Sequence, residues 1–76
     1  MNHEEHDELY RPFFVCFRSD HDPSSCRIVK RYALQPRADD AIEVGQAWAE
    51  ALGEERGSIE VWRNDEMTAR HAWTYP

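Results

Sequence analysis

Residues 37–56 read RADDAIEVGQAWAEALGEER, and their apolar side chains recur with the period of an α-helix. One stripe of this helix is expected to be buried, and its members are Ala38, Ala41, Ile42, Gly45, Trp48, Ala49 and Leu52. A glycine in the middle of a buried stripe costs helix propensity, so Gly45 predicts a close approach of the helix to its neighbour. Gly53 or Gly57 is expected to end the helix, because glycine commonly follows a helix C-terminus.

The outward side of the same span is almost purely acidic. Its carboxylates are Asp39, Asp40, Glu43, Glu50 and Glu54. A row of carboxylates on one rod can imitate phosphates and occupy a nucleic-acid groove on another protein. This acidic side of the helix is therefore an alternative partner-binding face. A run of like charges on a helix is more often simply a solvent-exposed surface.

The segments on either side of the helix have the character of β-hairpins. Strands are predicted over residues 10–18, 26–34, 58–63 and 67–75, and residues 13–17 are apolar on both faces, as in an interior strand. The predicted fold is α+β: a single ββαββ domain over residues 10–76, with an antiparallel sheet in the order 2-1-3-4 and the helix on one face. Residues 1–9 are predicted to form a flexible acidic tail.

Two registers are open for the first hairpin. Pairing Phe17 with Cys26 places the two cysteines on opposite faces of the sheet. One face then holds Phe13, Val15, Phe17, Ile28, Tyr32 and Leu34, and the other holds Phe14, Cys16, Arg18, Arg27, Val29 and Arg31. A shift of one residue would set Cys16 directly opposite Cys26, where a disulfide fits. A reducing cytosol favours free thiols in either case.

A three-residue turn, Asn64-Asp65-Glu66, is predicted for the second hairpin. This turn places Glu60 opposite Arg70 as a favourable cross-strand pair. The face shared with the helix then holds Ile59, Val61, Met67, Ala69, His71 and Trp73. Among those apolar residues, His71 is expected to be a hydrogen-bonded core histidine rather than a catalytic one.

The sheet face away from the helix is the leading candidate site. The residues predicted to form it are Phe14, Arg18, Arg27, Arg31, Trp62 and Arg70. Exposed aromatic rings surrounded by arginine are the usual ingredients of a protein-binding hot spot. The same residues suit base stacking with arginines on phosphates, and a second copy of the chain or its own termini could also cover them.

The composition of the chain and its lack of known catalytic motifs argue against several classes of function. The 76 residues carry a net charge of −6, which disfavours binding to phosphate backbones, and the longest apolar run is far too short to span a bilayer. No P-loop, glycine-rich dinucleotide turn or nucleophile elbow is present, so neither an enzyme nor a cofactor is predicted. His3, His6 and His21 lie among acidic residues but lack a preset geometry, and no metal site is expected. The cytoplasm is the default compartment.

In size, acidity and inferred topology, residues 10–75 resemble small proteins of phages and mobile elements such as the anti-CRISPR inhibitors. The resemblance carries no diagnostic motif and transfers no site residues. It implies a non-enzymatic protein that occludes a surface of a protein partner, in one version an inhibitor of a nucleic-acid-binding complex. The alternatives are a single-stranded nucleic-acid or RNA-binding domain that uses the open sheet face, and a structural homodimer. No membrane partner is expected.

Overall fold

The computed structural model of the chain describes residues 12–75. Its elements are β1 (Phe13–Ser19), β2 (Cys26–Tyr32), α1 (Ala38–Leu52), β3 (Arg56–Arg63) and β4 (Glu66–Thr74). All paired strands are antiparallel and the sheet order is β2-β1-β3-β4, which confirms the predicted ββαββ arrangement. The predicted tail lies outside the described residues, as do Tyr10 and Arg11 at the start of the first predicted strand.

The core lies between α1 and the two central strands. It is formed by Phe13, Val15, Phe17, Ala41, Ala49, Ile59 and Val61. The helix contributes small residues and the strands contribute large ones, so the helix backbone comes close to the sheet. The Trp48 ring, at the border of this core, lies 5.6 Å from the Phe17 ring between centroids. The sheet face that contacts the helix is called here the helix face, and the other is called the open face.

The close approach predicted from Gly45 is present. A Cβ atom at this position would collide with Cγ2 of Ile59 and lie only 3.1 Å from its Cγ1. Because Ile59 is fully buried, it has little room to move aside.

Replacing Gly45 by valine is therefore expected to lower the free energy of unfolding by about 2 kcal/mol, since overpacking a core typically costs 1–3 kcal/mol. Urea denaturation followed by circular dichroism measures this loss. Ala47→Val, at an exposed position of the same helix, is the control and should cost no more than about 0.7 kcal/mol. Equal losses in the two variants would show that the contact with Ile59 is unimportant.

Gly53 ends the helix. It adopts φ 69°, the left-handed conformation that glycine tolerates best, and its N–H reaches the carbonyls of Ala49 and Glu50. Gly57, the other candidate for this role, lies within β3 and packs against the Phe17 ring. Glu54 consequently lies beyond the helix, so its predicted place on the acidic helix face is wrong.

The first hairpin adopts neither predicted register. Cys16 pairs with Ile28 and Arg18 pairs with Cys26, while an irregularity between Val15 and Cys16 shifts the pairing of the remaining residues. Such a bulge adds one unpaired residue and reverses which side chains face the core. Cys26 and Ile28 therefore lie on the open face.

Other face assignments in this hairpin change for the same reason. Arg27 pairs with Phe17 on the helix face, and Val29 packs against the core there, so the open-face predictions for both are wrong. Arg31 pairs with Phe14, and Tyr32 packs against the core; the predicted faces of these two residues are confirmed. Leu34, predicted on the core side of the strand, lies beyond the end of β2 and is 82% exposed.

The predicted pairing holds along most of the second hairpin. Ile59 lies opposite His71, and Glu60 lies opposite Arg70. A bulge between Val61 and Trp62 then leaves a two-residue Asn64-Asp65 turn with Asn64 at φ 56°, instead of the predicted three-residue turn. Because of that bulge, Met67 pairs with Trp62 and joins the open face, contrary to prediction.

His71 was expected in the core and is exposed. Its strand, β4, is an edge of the sheet, whereas the buried strand residues of the core come from β1 and β3. The residue lines an open cavity of about 460 Å³ between α1 and β4, which Asp39 and Glu43 of the helix also line. The histidine therefore faces solvent and charged groups.

Candidate functional site

The strand pairings arrange the open face as three rows of side chains that cross the sheet from β2 to β4. The first row is Arg31, Phe14, Trp62 and Met67. The second row is Ile28, Cys16, Glu60 and Arg70. The third row is Cys26, Arg18, Ser58 and Ala72. Antiparallel neighbours in one row lie close enough for their side chains to touch.

Glu60 is the centre of this face and is only 4% exposed. Its Oε2 accepts hydrogen bonds from Arg18 Nε at 3.1 Å and from Ser58 Oγ at 3.1 Å. Its Oε1 accepts bonds from Trp62 Nε1 at 2.8 Å and from Arg18 Nη2 at 3.2 Å. The carboxylate therefore fixes three neighbouring side chains.

The environment of Glu60 acts on its pKa in two opposed ways. Burial raises the pKa, because it penalises the charged carboxylate. Hydrogen bonds from Arg18, Trp62 and Ser58, with the positive charge of Arg18, outweigh burial and hold the pKa below its ordinary value of 4.5. Glu60 is thus an ionised carboxylate at neutral pH despite its burial.

A disulfide joins Cys16 to Cys26, with a Cα–Cα distance of 5.6 Å. The two residues are diagonal neighbours on the open face, because Cys26 pairs with Arg18, two positions along β1 from Cys16. Their sulfur atoms lie 3.9 Å and 3.8 Å from Glu60 Oε1. The two registers considered from the sequence left open whether Cys16 and Cys26 could bond. The structure has a third register, in which the two cysteines share one face and are bonded.

Apolar side chains are accessible on both sides of this buried centre. Phe14 and Trp62 are half-buried, while Ile28 is 44% exposed and Met67 is 43% exposed. Exposed arginines stand at the edges of the sheet, with Arg31 on β2 and Arg70 on β4. The accessible surface is therefore an apolar band between two cationic ends.

Five of the six residues predicted for the sheet-face site lie together on the open face. They are Phe14, Arg18, Arg31, Trp62 and Arg70. Arg27 does not join them, since it lies on the helix face with its Nη1 3.5 Å from Glu54 Oε2. Arg18 plays a mainly internal part, because it also donates from Nη1 to the carbonyl of Pro23 at 2.7 Å.

Ile28 and Met67 belong to the accessible band, although strict alternation along their strands places both on the other face. Both reach the open face through a β-bulge, which reverses the alternation on which the face assignment rested. A requirement that Cys16 and Cys26 share one face would have placed Ile28 correctly, because Ile28 alternates with Cys26.

The acidic helix face is present on the opposite side of the molecule. Asp39, Asp40, Glu43 and Glu50 are exposed on α1, and Asp39 and Asp40 lie in its first turn. The helix dipole favours carboxylates there. The domain consequently has a negative helix on one side and an apolar, arginine-edged face on the other.

Within residues 12–75, one group of three side chains has metal-ligating atoms close together. It consists of Cys16, Cys26 and Glu60, whose ligand atoms lie within 4.8 Å of one another. His21 and the aspartates beside it lie on the exposed turn between β1 and β2. His3 and His6 lie outside the described residues.

No family model, curated protein or solved structure matches this chain. Over the part of the chain that the structure describes, no helix combines the length and the apolar character needed to cross a membrane.

Proposed function

We propose that this chain is a non-enzymatic binding protein that occludes a surface of a protein partner with its open sheet face. The observation that carries this proposal is the apolar band of Phe14, Trp62, Met67 and Ile28 on a face that α1 leaves uncovered. Aromatic residues, methionine and arginine are enriched in protein interfaces relative to the rest of the surface.

The centre of the band is held in place before any partner arrives. Trp62 donates its indole N–H to Glu60, and Glu60 is itself fixed by Arg18 and Ser58. An anchor that is already ordered loses less conformational entropy on binding, which favours affinity. Met67 is unbranched and can adapt its shape to the opposing surface.

Charge indicates the chemistry of the partner. Glu60 is the one carboxylate that β1 to β4 place on the open face, and Arg18 pairs with it. Arg31 and Arg70 therefore favour a partner surface on which carboxylates surround an apolar centre. A second copy of the chain would bring arginine-edged faces together, so a homodimer through this face is disfavoured.

Single-stranded nucleic acid is the other ligand that aromatic rings and arginines can bind. The net charge of −6 and the exposed carboxylates of α1 oppose phosphate approach at long range. Ile28 and Met67 add aliphatic surface rather than further rings for base stacking. A protein partner is the better fit.

The resemblance to phage-type inhibitors suggests a second version of the proposal. There, the carboxylates Asp39, Asp40, Glu43 and Glu50 contact a basic nucleic-acid channel of the partner. This version predicts binding that weakens steeply with added salt, because the carboxylates are solvent-exposed. The cytoplasm is the compartment we propose in both versions; its reducing conditions favour the thiol forms of Cys16 and Cys26.

The experiment is affinity capture from a nuclease-treated bacterial lysate with the tagged full chain as bait. Three baits are compared: the wild type, Met67→Glu and Leu52→Glu. Leu52 is the matched control, because it is an apolar residue, 57% exposed, at the end of α1 and away from the open face. We expect a protein that the wild type and Leu52→Glu retain and that Met67→Glu loses.

Each other outcome has a defined meaning. Retention by all three baits would place the contact elsewhere, and a Glu43→Gln, Glu50→Gln double variant would then test the helix version. Recovery that disappears with nuclease would favour the nucleic-acid alternative. Capture of the bait by itself, with a dimeric elution volume on a sizing column, would favour the homodimer.

A further inference from the structure

The second row of the open face contains two sulfur atoms and a carboxylate oxygen that converge on one point. Cys16 and Glu60 are buried, and Cys26 is half-buried. From this cluster we infer that the reduced chain binds one thiophilic divalent cation of the zinc class, with Cys16 Sγ, Cys26 Sγ and Glu60 Oε1 as ligands.

The two sulfur–oxygen distances are close to those of tetrahedral zinc coordination. Zinc–sulfur bonds of about 2.3 Å and zinc–oxygen bonds of about 2.0–2.2 Å place a sulfur and an oxygen ligand roughly 3.5 Å apart. The two sulfur atoms lie 3.9 Å and 3.8 Å from Oε1. The sulfurs themselves must separate on reduction, and half-buried Cys26 is the residue with room to change its side-chain rotamer.

The carboxylate is already oriented for this role. Oε2 remains with Arg18 Nε and Ser58 Oγ, each at 3.1 Å, while Oε1 faces the sulfurs. Hydrogen bonds to a ligand's outer atoms are the usual means by which proteins fix the ligands of a metal site. Oε1 itself accepts hydrogen bonds from Trp62 Nε1 at 2.8 Å and from Arg18 Nη2 at 3.2 Å, so the cation replaces one of these two donors when it binds.

Charge also balances in the loaded site. Two thiolates and the Glu60 carboxylate carry three negative charges, which a divalent cation and the Arg18 guanidinium together neutralise. A buried cluster of this kind avoids the cost of an uncompensated charge. Three protein ligands leave a fourth position, which water can fill on the side of Cys26.

The cation binds only after the disulfide is opened. A dithiol reductant supplies two electrons and two protons, breaks the sulfur–sulfur bond, leaves two thiols and becomes a disulfide itself. The divalent cation then displaces both thiol protons and forms two metal–sulfur bonds. Oxidation and metal binding therefore compete for the same two sulfur atoms.

The test is a titration of the reduced full chain with Co²⁺ in the absence of oxygen. We expect saturation at one equivalent, a thiolate-to-cobalt charge-transfer band and the visible bands of tetrahedral cobalt, all removed by Zn²⁺. Cys26→Ser should lose the charge-transfer band, whereas any binding by His3 or His6 would persist. Glu60→Gln should weaken Co²⁺ binding at least tenfold, and Glu54→Gln, a carboxylate outside the cluster, should not.

Circular dichroism establishes that each variant is folded before the titration. Where Glu60→Gln does not fold, X-ray absorption of the zinc-loaded wild type decides the ligand set. Two sulfur and two lighter ligands would support the inference, and four sulfurs would overturn it by showing a site shared between chains. A folded, reduced wild type without the cobalt bands would also overturn it.

Discussion

Glu60→Ala is expected to lower the free energy of unfolding by about 3 kcal/mol, because removing one member of a buried ion pair typically costs 3–5 kcal/mol. The variant leaves Arg18, Ser58 and Trp62 without the acceptor that each of them uses. We expect a loss at the lower end of this range of about 3–5 kcal/mol, because the Arg18 side chain is 29% exposed and water can hydrate it. Urea denaturation at pH 7 measures the loss.

Glu54→Ala is the matched control for this variant. It removes a carboxylate of the same type whose partner, Arg27, has a side chain that is 63% exposed. Exposed ion pairs contribute about 0–1 kcal/mol, so the control should change stability little. Similar losses in the two variants would contradict the central structural role given to Glu60.

The contribution of Glu60 also depends on pH, and the sign follows from its pKa. Its folded-state pKa lies below the ordinary 4.5, so the unfolded chain binds the proton more readily than the folded chain. The stabilisation is fully present above the unfolded pKa and is lost as the pH falls through the folded pKa. The stability difference between wild type and Glu60→Ala should therefore shrink as the pH falls below about 4.5.

Reducing the disulfide is the second change with a large expected effect. Cys16 and Cys26 are ten residues apart, and cross-linking a loop of 15 residues stabilises a fold by about 3 kcal/mol. The shorter loop predicts a loss of somewhat under 3 kcal/mol on reduction. For a domain of this size, that loss corresponds to a fall in Tm on the order of 10–20 °C.

Thermal unfolding with and without a dithiol reductant, in the presence of a metal chelator, measures the effect. The Cys16→Ser, Cys26→Ser double variant is the control, and its Tm should not respond to the reductant. A wild-type Tm that changes by less than about 2 °C on complete reduction would contradict the prediction.

Periodicity was sufficient to predict the helix and the strands, and the usual connection rules then predicted the strand order. The apolar stripe of residues 37–56 identified the helix, and the two-sided apolar run of residues 13–17 identified the central strand. The close approach at Gly45 followed from the low helix propensity of glycine and from its position in the middle of the apolar stripe. These features depend on local sequence, which is why they could be derived without knowledge of tertiary contacts.

The composition of the open face could be predicted only in part. Bulges after Val15 and Val61 reverse the alternation, and this removed Arg27 from the face and added Ile28 and Met67. A bulge depends on how two strands pair and pack, so its position cannot be predicted from any single residue. Glu60 was assigned to the correct face, but its burial arises from the side chains of three different strands.

The most direct test of the open face as a binding surface measures the affinity of the captured partner for each purified bait. If the open face is the binding surface, Met67→Glu should weaken binding by at least 30-fold, the equivalent of a hot-spot loss of about 2 kcal/mol. Leu52→Glu should bind within about twofold of wild type. Equal affinities of the wild type and a folded Met67→Glu variant would contradict the claim that this chain acts through its open sheet face.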